Sequence, residues 1–105
     1  MKMIRAIVRP EKEMEVVKNL ERSGFSAFTK LDVLGRGKQK GLQVGSARYD
    51  ELAKVMFILV VEDGDSARAV DSFKNGARTG NPGDGKVFIT DVDQVVTIRT
   101  GENTL

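Results

Sequence analysis

Two glycine-rich stretches carry the residues best suited to chemistry: Gly35-Arg36-Gly37-Lys38-Gln39-Lys40-Gly41 and Thr79-Gly80-Asn81-Pro82-Gly83-Asp84-Gly85-Lys86. Glycines let the backbone approach a ligand closely, so that successive N–H groups converge on phosphate or carboxylate oxygens, and the lysines add point charges. Gln39 adds a neutral carbonyl acceptor and amide donors. Each stretch also has a plainer reading. The first is then a hairpin loop kept soluble by its lysines, and the second a tight glycine turn followed by an exposed lysine. Gly80 to Lys86 matches the GxxxxGK core of a P-loop literally. Val87 nevertheless stands where magnesium needs a hydroxyl, and the loop follows a helical pattern and precedes a strand pattern, the reverse of P-loop order. No pattern for a parallel nucleotide-binding sheet accompanies it.

Composition removes several classes of chemistry. The chain contains no cysteine and no histidine, which excludes disulfides, zinc sites and Cys/His catalysis. Acid–base work near neutrality would require a strongly shifted carboxylate or lysine. No residue stands out as a nucleophile or base, and Asp84 in its glycine turn reads as a loop-ordering acceptor, so an ATP-cleaving enzyme is the weaker reading. The 17 basic and 15 acidic residues give a net charge of +2. That is too little for a general polyanion binder, but Arg36, Lys38 and Lys40 cluster enough for a local phosphate site. The longest apolar run, Val55 to Val61, falls far short of the roughly 20 residues that span a bilayer. Met1-Lys2-Met3-Ile4-Arg5 alternates instead of building a signal-peptide core. A cytoplasmic protein is expected.

The elements that must position these loops are legible in outline, and the 105 residues leave room for one domain. Ile4, Ala6 and Val8 alternate with Met3, Arg5, Ile7 and Arg9, which predicts a strand over residues 3–9. Pro10 suits a first helical turn, Met14, Val16, Val17 and Leu20 form an apolar stripe, and Gly24 is placed to cap the helix. Residues 25–34 return to a strand-like pattern, and Gly35 to about Ala53 reads as a long loop. Val55 to Val61 predicts a strand buried on both faces. Asp63-Gly64-Asp65-Ser66 supplies a turn and a cap for a second helix carrying Val70, Phe73 and Ala77. Strands are predicted at Lys86–Thr90 and Val95–Thr100. The order predicts an α+β, ferredoxin-like βαββαβ fold: an antiparallel sheet with two helices on one face. The other sheet face must be solvated or covered, and apolar residues on both sides of Val55–Val61 favour cover by partner subunits. RNA-recognition modules share this element order but expose paired aromatics, whereas Phe57 and Phe88 lie in apolar runs that read as core.

Taken together, the signatures resemble the PII family of nitrogen-regulatory signalling proteins. Val33-Leu34-Gly35-Arg36-Gly37-Lys38-Gln39-Lys40-Gly41 is similar to the segment opening its T-loop. Ala77-Arg78-Thr79-Gly80 with Gly83-Asp84-Gly85-Lys86-Val87-Phe88-Ile89 resembles its B-loop, and Ile98-Arg99-Thr100-Gly101-Glu102 its C-loop. Met1-Lys2-Met3-Ile4 to Arg9-Pro10 fits its first strand. The resemblance spans nearly the whole chain as a single PII-like domain over 1–105, with a T-loop at about 36–53, a B-loop at about 79–86 and a C-loop at about 97–102. It implies a trimer binding ATP or ADP in clefts between neighbours, and 2-oxoglutarate beside the nucleotide, without catalysis. By the same resemblance Ile7, Thr29, Gly35, Gly37, Lys38, Gln39, Gly83, Asp84, Gly85, Lys86 and Arg99 would serve ATP. Gln39, Lys40, Gly41, Lys54 and Gly83 would serve 2-oxoglutarate, and Gln39 would complete the shell of a magnesium ion held mainly by the two ligands. Lys54 and Arg99 also have plain readings, as a solvent-exposed strand-edge lysine and an outward-facing strand residue.

Departures from the common pattern narrow the resemblance. The segment Leu42 to Ala53 is several residues shorter than usual, and the one tyrosine, Tyr49, has no secure alignment to the family's modifiable tyrosine. Arg36 replaces a frequent aromatic, and Thr97 stands where an arginine is common. A short T-loop opening with Gly-Arg-Gly-Lys-Gln-Lys-Gly most resembles the branch encoded beside nitrogenase genes in methanogens and some anaerobic bacteria. In that branch two PII-like subunits form a mixed assembly that blocks dinitrogenase until ATP with 2-oxoglutarate releases it. The resemblance therefore implies a homotrimer or mixed oligomer that regulates nitrogen fixation through nitrogenase, with no nucleic-acid partner. The alternative within the family is regulation of an ammonium transporter, hence an indirect membrane association, or of a nitrogen-assimilation enzyme.

Overall fold

Alternation in β1 (Lys2–Val8) sends Ile4, Ala6 and Val8 into the core and leaves Met3, Arg5 and Ile7 on the opposite face. The computed structural model describes residues 1–37, 42–44, 47–49 and 51–105, with 42–44 and 47–49 described by their backbone alone. Pro10 opens a single 3-10 turn, Pro10–Lys12, that leads into α1 (Glu13–Arg22). Within α1 the buried residues are Val16 and Leu20, with Val17 packed beside them. Met14, expected on this stripe, is instead 71% exposed. It lies two residues before Val16, which is about 200° around the helix axis.

The end of α1 follows directly from Gly24. Its φ of +88° turns the chain back, the Gly24 N–H donates to the Glu21 carbonyl at 3.0 Å, and the Phe25 N–H donates to the Leu20 carbonyl at 2.8 Å. This pair of bonds satisfies carbonyls that the helix cannot, and it brings Phe25 and Leu20 into the core.

The main sheet contains β1, β2 (Thr29–Gly35), β5 (Leu52–Val61) and β6 (Gly85–Asp91) in the order β2-β5-β1-β6, all neighbours antiparallel. Both helices, α1 and α2 (Ser66–Ala77), pack on the face that carries the core. This is the expected ferredoxin-like βαββαβ arrangement. Phe57 of β5 sits between Phe28 and Phe73, with ring centroids 5.4 and 5.7 Å away in edge-on and tilted geometries. The helices approach closely at Gly76, where an added Cβ would stand 3.0 Å from the Val16 Cα.

Four local expectations are corrected. The stretch expected as an unstructured loop contains a separate hairpin, β3 (Leu42–Val44) paired with β4 (Ala47–Tyr49); two three-residue strands are too short to show a period. Strand β5 is buried on one face only, through Val55, Phe57, Leu59 and Val61, whereas Met56, Ile58 and Val60 are half-buried on the open face. Neither Asp63 nor Asp65 caps α2 through its side chain; Asp65 instead pairs with Arg68. Finally, Val95–Thr100 is not a strand. The Gly101 N–H donates to the Thr97 carbonyl at 2.7 Å and the Thr97 N–H to the Glu102 carbonyl at 2.8 Å, so the segment closes on itself as a turn and leaves Ile98 99% exposed.

Candidate anion-binding cleft

On the open face of the sheet, the ends of β1, β2, β5 and β6 enclose a cleft of about 450 Å³. Pairing register decides which side chains reach it. Ile7 stands opposite Met56 on one side and Lys86 on the other, and Val33 opposite Lys54, so Ile7, Lys54 and Lys86 share the open face. Gly35 closes β2 against Leu52, and Arg36 and Gly37 continue along the rim. Gly83 and Gly85 complete the lining from the second glycine loop.

Gly85 is fixed by sterics. Its φ is +109°, and a Cβ there would lie 1.7 Å from the Ile7 carbonyl oxygen. Only a glycine allows the loop to enter β6 this close to the β1 backbone. Gly35 answers a similar need on the other wall, where an added Cβ would be 3.3 Å from the Lys54 Cγ. The Lys54 stem thus runs along bare backbone to reach the second loop. There its Nζ donates to the Gly83 carbonyl at 2.6 Å. Desolvation, reinforced by the positive charge of Arg9, holds the Lys54 ammonium below the ordinary lysine range, against smaller opposing effects of Glu11 and Asp84.

The Asp84 carboxylate is committed to its own loop. It accepts from the Thr79 hydroxyl, from the Thr79 N–H at 2.9 Å and from the Gly80 N–H at 2.8 Å, and Arg9 Nε donates to it at 3.1 Å. These donors, the Thr79 hydroxyl foremost, hold its pKa well below the usual carboxylate range. Arg9 Nη2 also donates to the Pro82 carbonyl at 2.7 Å.

Of the residues expected at a ligand site, the cleft brings together Ile7, Gly35, Gly37, Lys54, Gly83, Gly85 and Lys86. Asp84 does not line it. Thr29, at the start of β2, and Arg99, in the turn after β6, are exposed and stand outside it. Lys38, Gln39, Lys40 and Gly41 lie outside the described residues, as does the Tyr49 side chain. Among the described residues, no group of three or more Asp or Glu side chains is placed to hold a metal ion.

Sequence reasoning missed two lining residues and one support. Arg36, read from the sequence as part of a basic cluster fit for phosphate, does line the cleft; Leu52 was missed, and Lys54 two positions along the same strand face was the available signal. Phe88, expected in the core, is 47% exposed on the open face. Strand β6 places Val87 and Ile89 on the helix side, so its even positions face outward. It is the one aromatic on that face among the described residues. Arg9 lies 75 positions from Asp84, and nothing local in the sequence announces their contact.

Comparison with known proteins converges on one family. The family model described as "Nitrogen regulatory protein P-II" matches residues 1–102. A protein of Methanothermobacter marburgensis named "Nitrogen fixation nifHD region GlnB-like protein 1" is 50% identical over 105 residues, covering 100% of both chains. The "Nitrogen fixation nifHD region glnB-like protein 1" of Methanococcus maripaludis is 52% identical over 100 residues, 95% of each chain. "Nitrogen regulatory protein P-II 2" of Methanothermobacter thermautotrophicus is 45% identical over 107 residues, 98% of this chain and 93% of that one.

Proposed function

The chain belongs to the nitrogen regulatory protein P-II family, and from that membership and the cleft's chemistry we propose that it senses ATP or ADP together with 2-oxoglutarate and regulates nitrogen fixation. The carrying observation is the convergence of Lys54, Lys86 and Arg36 on a cleft whose walls are bare at Gly35, Gly37, Gly83 and Gly85, with the nearby Asp84 carboxylate turned to its own loop. Such a site suits polyphosphate and carboxylate oxygens. Ile7, Leu52 and Phe88 add apolar surface for a base or an aliphatic chain. Magnesium would arrive with the nucleotide and take its ligands chiefly from phosphate and 2-oxoglutarate oxygens, with Gln39 adding one.

The open sheet face supports an oligomer, either a homotrimer or a mixed assembly with a second PII-like subunit. Half-buried Met56, Ile58 and Val60 with exposed Leu31 would be covered there. Thr29 and Arg99 would then reach the ligand from a neighbouring subunit. The output is reversible inhibition of nitrogenase through the T-loop, a reading supported by the nifHD-region names of the relatives.

Calorimetry tests the sensor. Mg-ATP titrated into the protein, followed by 2-oxoglutarate, should give saturable binding of both, the second depending on the first. No heat from 2-oxoglutarate in Mg-ATP, with or without a companion subunit, overturns it. Dinitrogenase assayed with the assembly should lose activity and recover it on adding both ligands; undiminished activity removes nitrogenase as the target.

A further inference from the structure

Arg9 is a side chain that the cleft does not contain and yet depends on. Its backbone is fixed on both sides: β1 ends at Val8, and the Arg9 carbonyl accepts from the Lys12 N–H at 3.0 Å to close the turn begun by Pro10. From this anchored base the side chain, 23% exposed, makes two directed contacts with the glycine loop. Nε donates to the Asp84 carboxylate at 3.1 Å, and Nη2 donates to the Pro82 carbonyl at 2.7 Å. A planar fork of donors on separate nitrogens holds both acceptors in one fixed geometry, which the single rotatable ammonium of a lysine does not impose.

We propose that Arg9 is a positioning residue for the phosphate-binding loop, setting through Asp84 and Pro82 the shape in which residues 82–85 meet an anionic ligand. Its effect on binding rests on the nucleotide reading given above; its effect on the loop does not. The peptide bond is planar and trans, so a carbonyl and the following N–H point in opposite directions. With the Pro82 carbonyl turned to Arg9, the Gly83 N–H points away from Arg9. Arg9 does not line the cleft, whereas Gly83 does. Asp84 carries the same constraint backward, because its carboxylate also gathers the N–H groups of Thr79 and Gly80. The loop between Thr79 and Gly85 contains three glycines, and without such external grips it would lose conformational entropy on every binding event. Arg9 supplies the grip from the end of β1, the strand that also contributes Ile7 to the cleft.

Charge gives Arg9 a second effect. Lys54 feels Arg9 as a like charge and Glu11 and Asp84 as opposite charges, with Lys86 and Arg36 also lining its cleft. Removing the Arg9 charge should raise the pH at which Lys54 loses its proton. Removing only the fork geometry should not.

The test uses the full chain with Arg9→Gln, Arg9→Lys, Asp84→Asn and the Arg9→Gln/Asp84→Asn double variant. Hydrogen exchange at the Thr79 and Gly80 amides, both held by Asp84, should quicken by about tenfold or more in Arg9→Gln while β5 and α2 amides keep their wild-type rates. Mg-ATP should bind about tenfold more weakly to each single variant, and the double variant should be no weaker than the worse single one. Arg9→Lys should keep the wild-type pH profile of binding but not the slow exchange of the loop. Wild-type exchange rates in Arg9→Gln, or strictly additive losses in the double variant, would overturn the proposal. A wild-type protein that fails to bind Mg-ATP would instead remove the nucleotide reading, and the exchange rates would still decide whether Arg9 orders the loop.

Discussion

The Lys54 ammonium and the Gly83 carbonyl are hydrogen-bonded at 2.6 Å, which links the start of β5 to the glycine loop between Thr79 and Lys86. A neutral carbonyl is a modest partner for a partly desolvated cation, and a carboxylate or phosphate oxygen is a stronger one. An anion entering the cleft therefore competes with Gly83 for Lys54. The link between β5 and the loop is the contact that such a ligand replaces.

That competition sets a pH dependence. A lysine attracts anions only in its charged form, and the Lys54 pKa in the protein lies below the ordinary lysine value of 10.5. Affinity for 2-oxoglutarate in Mg-ATP should hold near neutrality and fall as pH rises through the lowered Lys54 pKa, with proton uptake on binding in that window. Titrations in buffers of different ionisation enthalpy check this. Lys54→Met should weaken 2-oxoglutarate binding by about tenfold to a hundredfold, as expected for loss of a charge-assisted contact, and abolish the pH dependence.

Asp84 sets an acid limit on stability. Its folded-state pKa is depressed below the unfolded value of about 3.9. The stabilisation is thus present above about pH 4 and is lost as pH falls toward the folded-state pKa. Asp84→Asn should unfold at lower urea than wild type at pH 7, and the difference between the midpoints should shrink steadily below pH 4.

Gly85→Ala should be strongly destabilising, on the order of 2–4 kcal/mol. The new Cβ would overlap the Ile7 carbonyl, and a φ of +109° already disfavours any L side chain. Urea denaturation measures the loss, and ligand binding by the folded fraction should be impaired as well, since β6 must shift away from β1.

Gly76→Ala reverses the usual rule. In an exposed helix this exchange stabilises by roughly 1 kcal/mol. Here the methyl meets the Val16 backbone at 3.0 Å where α1 and α2 cross, and backbone cannot step aside. Overpacking of this kind costs about 1–3 kcal/mol, so the net change should be a lower thermal midpoint.

The fold was legible because its signals are local. Period-two alternation in Ile4, Ala6 and Val8, the Val16/Leu20 pair and Gly24 each report the immediate chain. Met14 and Phe88 misled because apolar character alone does not say which way a residue faces; helix angle and strand parity do. Val95–Thr100 has a strand's composition, but a backbone donor and acceptor close it into a turn first. The cleft was half-legible. Glycines and lysines announced the loops, whereas Arg9 reaches Asp84 only because the sheet places the end of β1 beside the start of β6.

That adjacency makes the sheet's register measurable from outside. Lys86 faces Ile7 across β1 and β6, and Val87 faces Ala6. A slip of one residue would turn Lys86 toward the helices and Val87 toward the cleft. The cleft is also lined by residues drawn from Ile7 through to Phe88, so everything up to Phe88 must have left the ribosome before it can form. Ligand binding by a refolding chain would therefore act as a proofreading signal, reporting that all four strands have found their partners, in the right order and in the right phase.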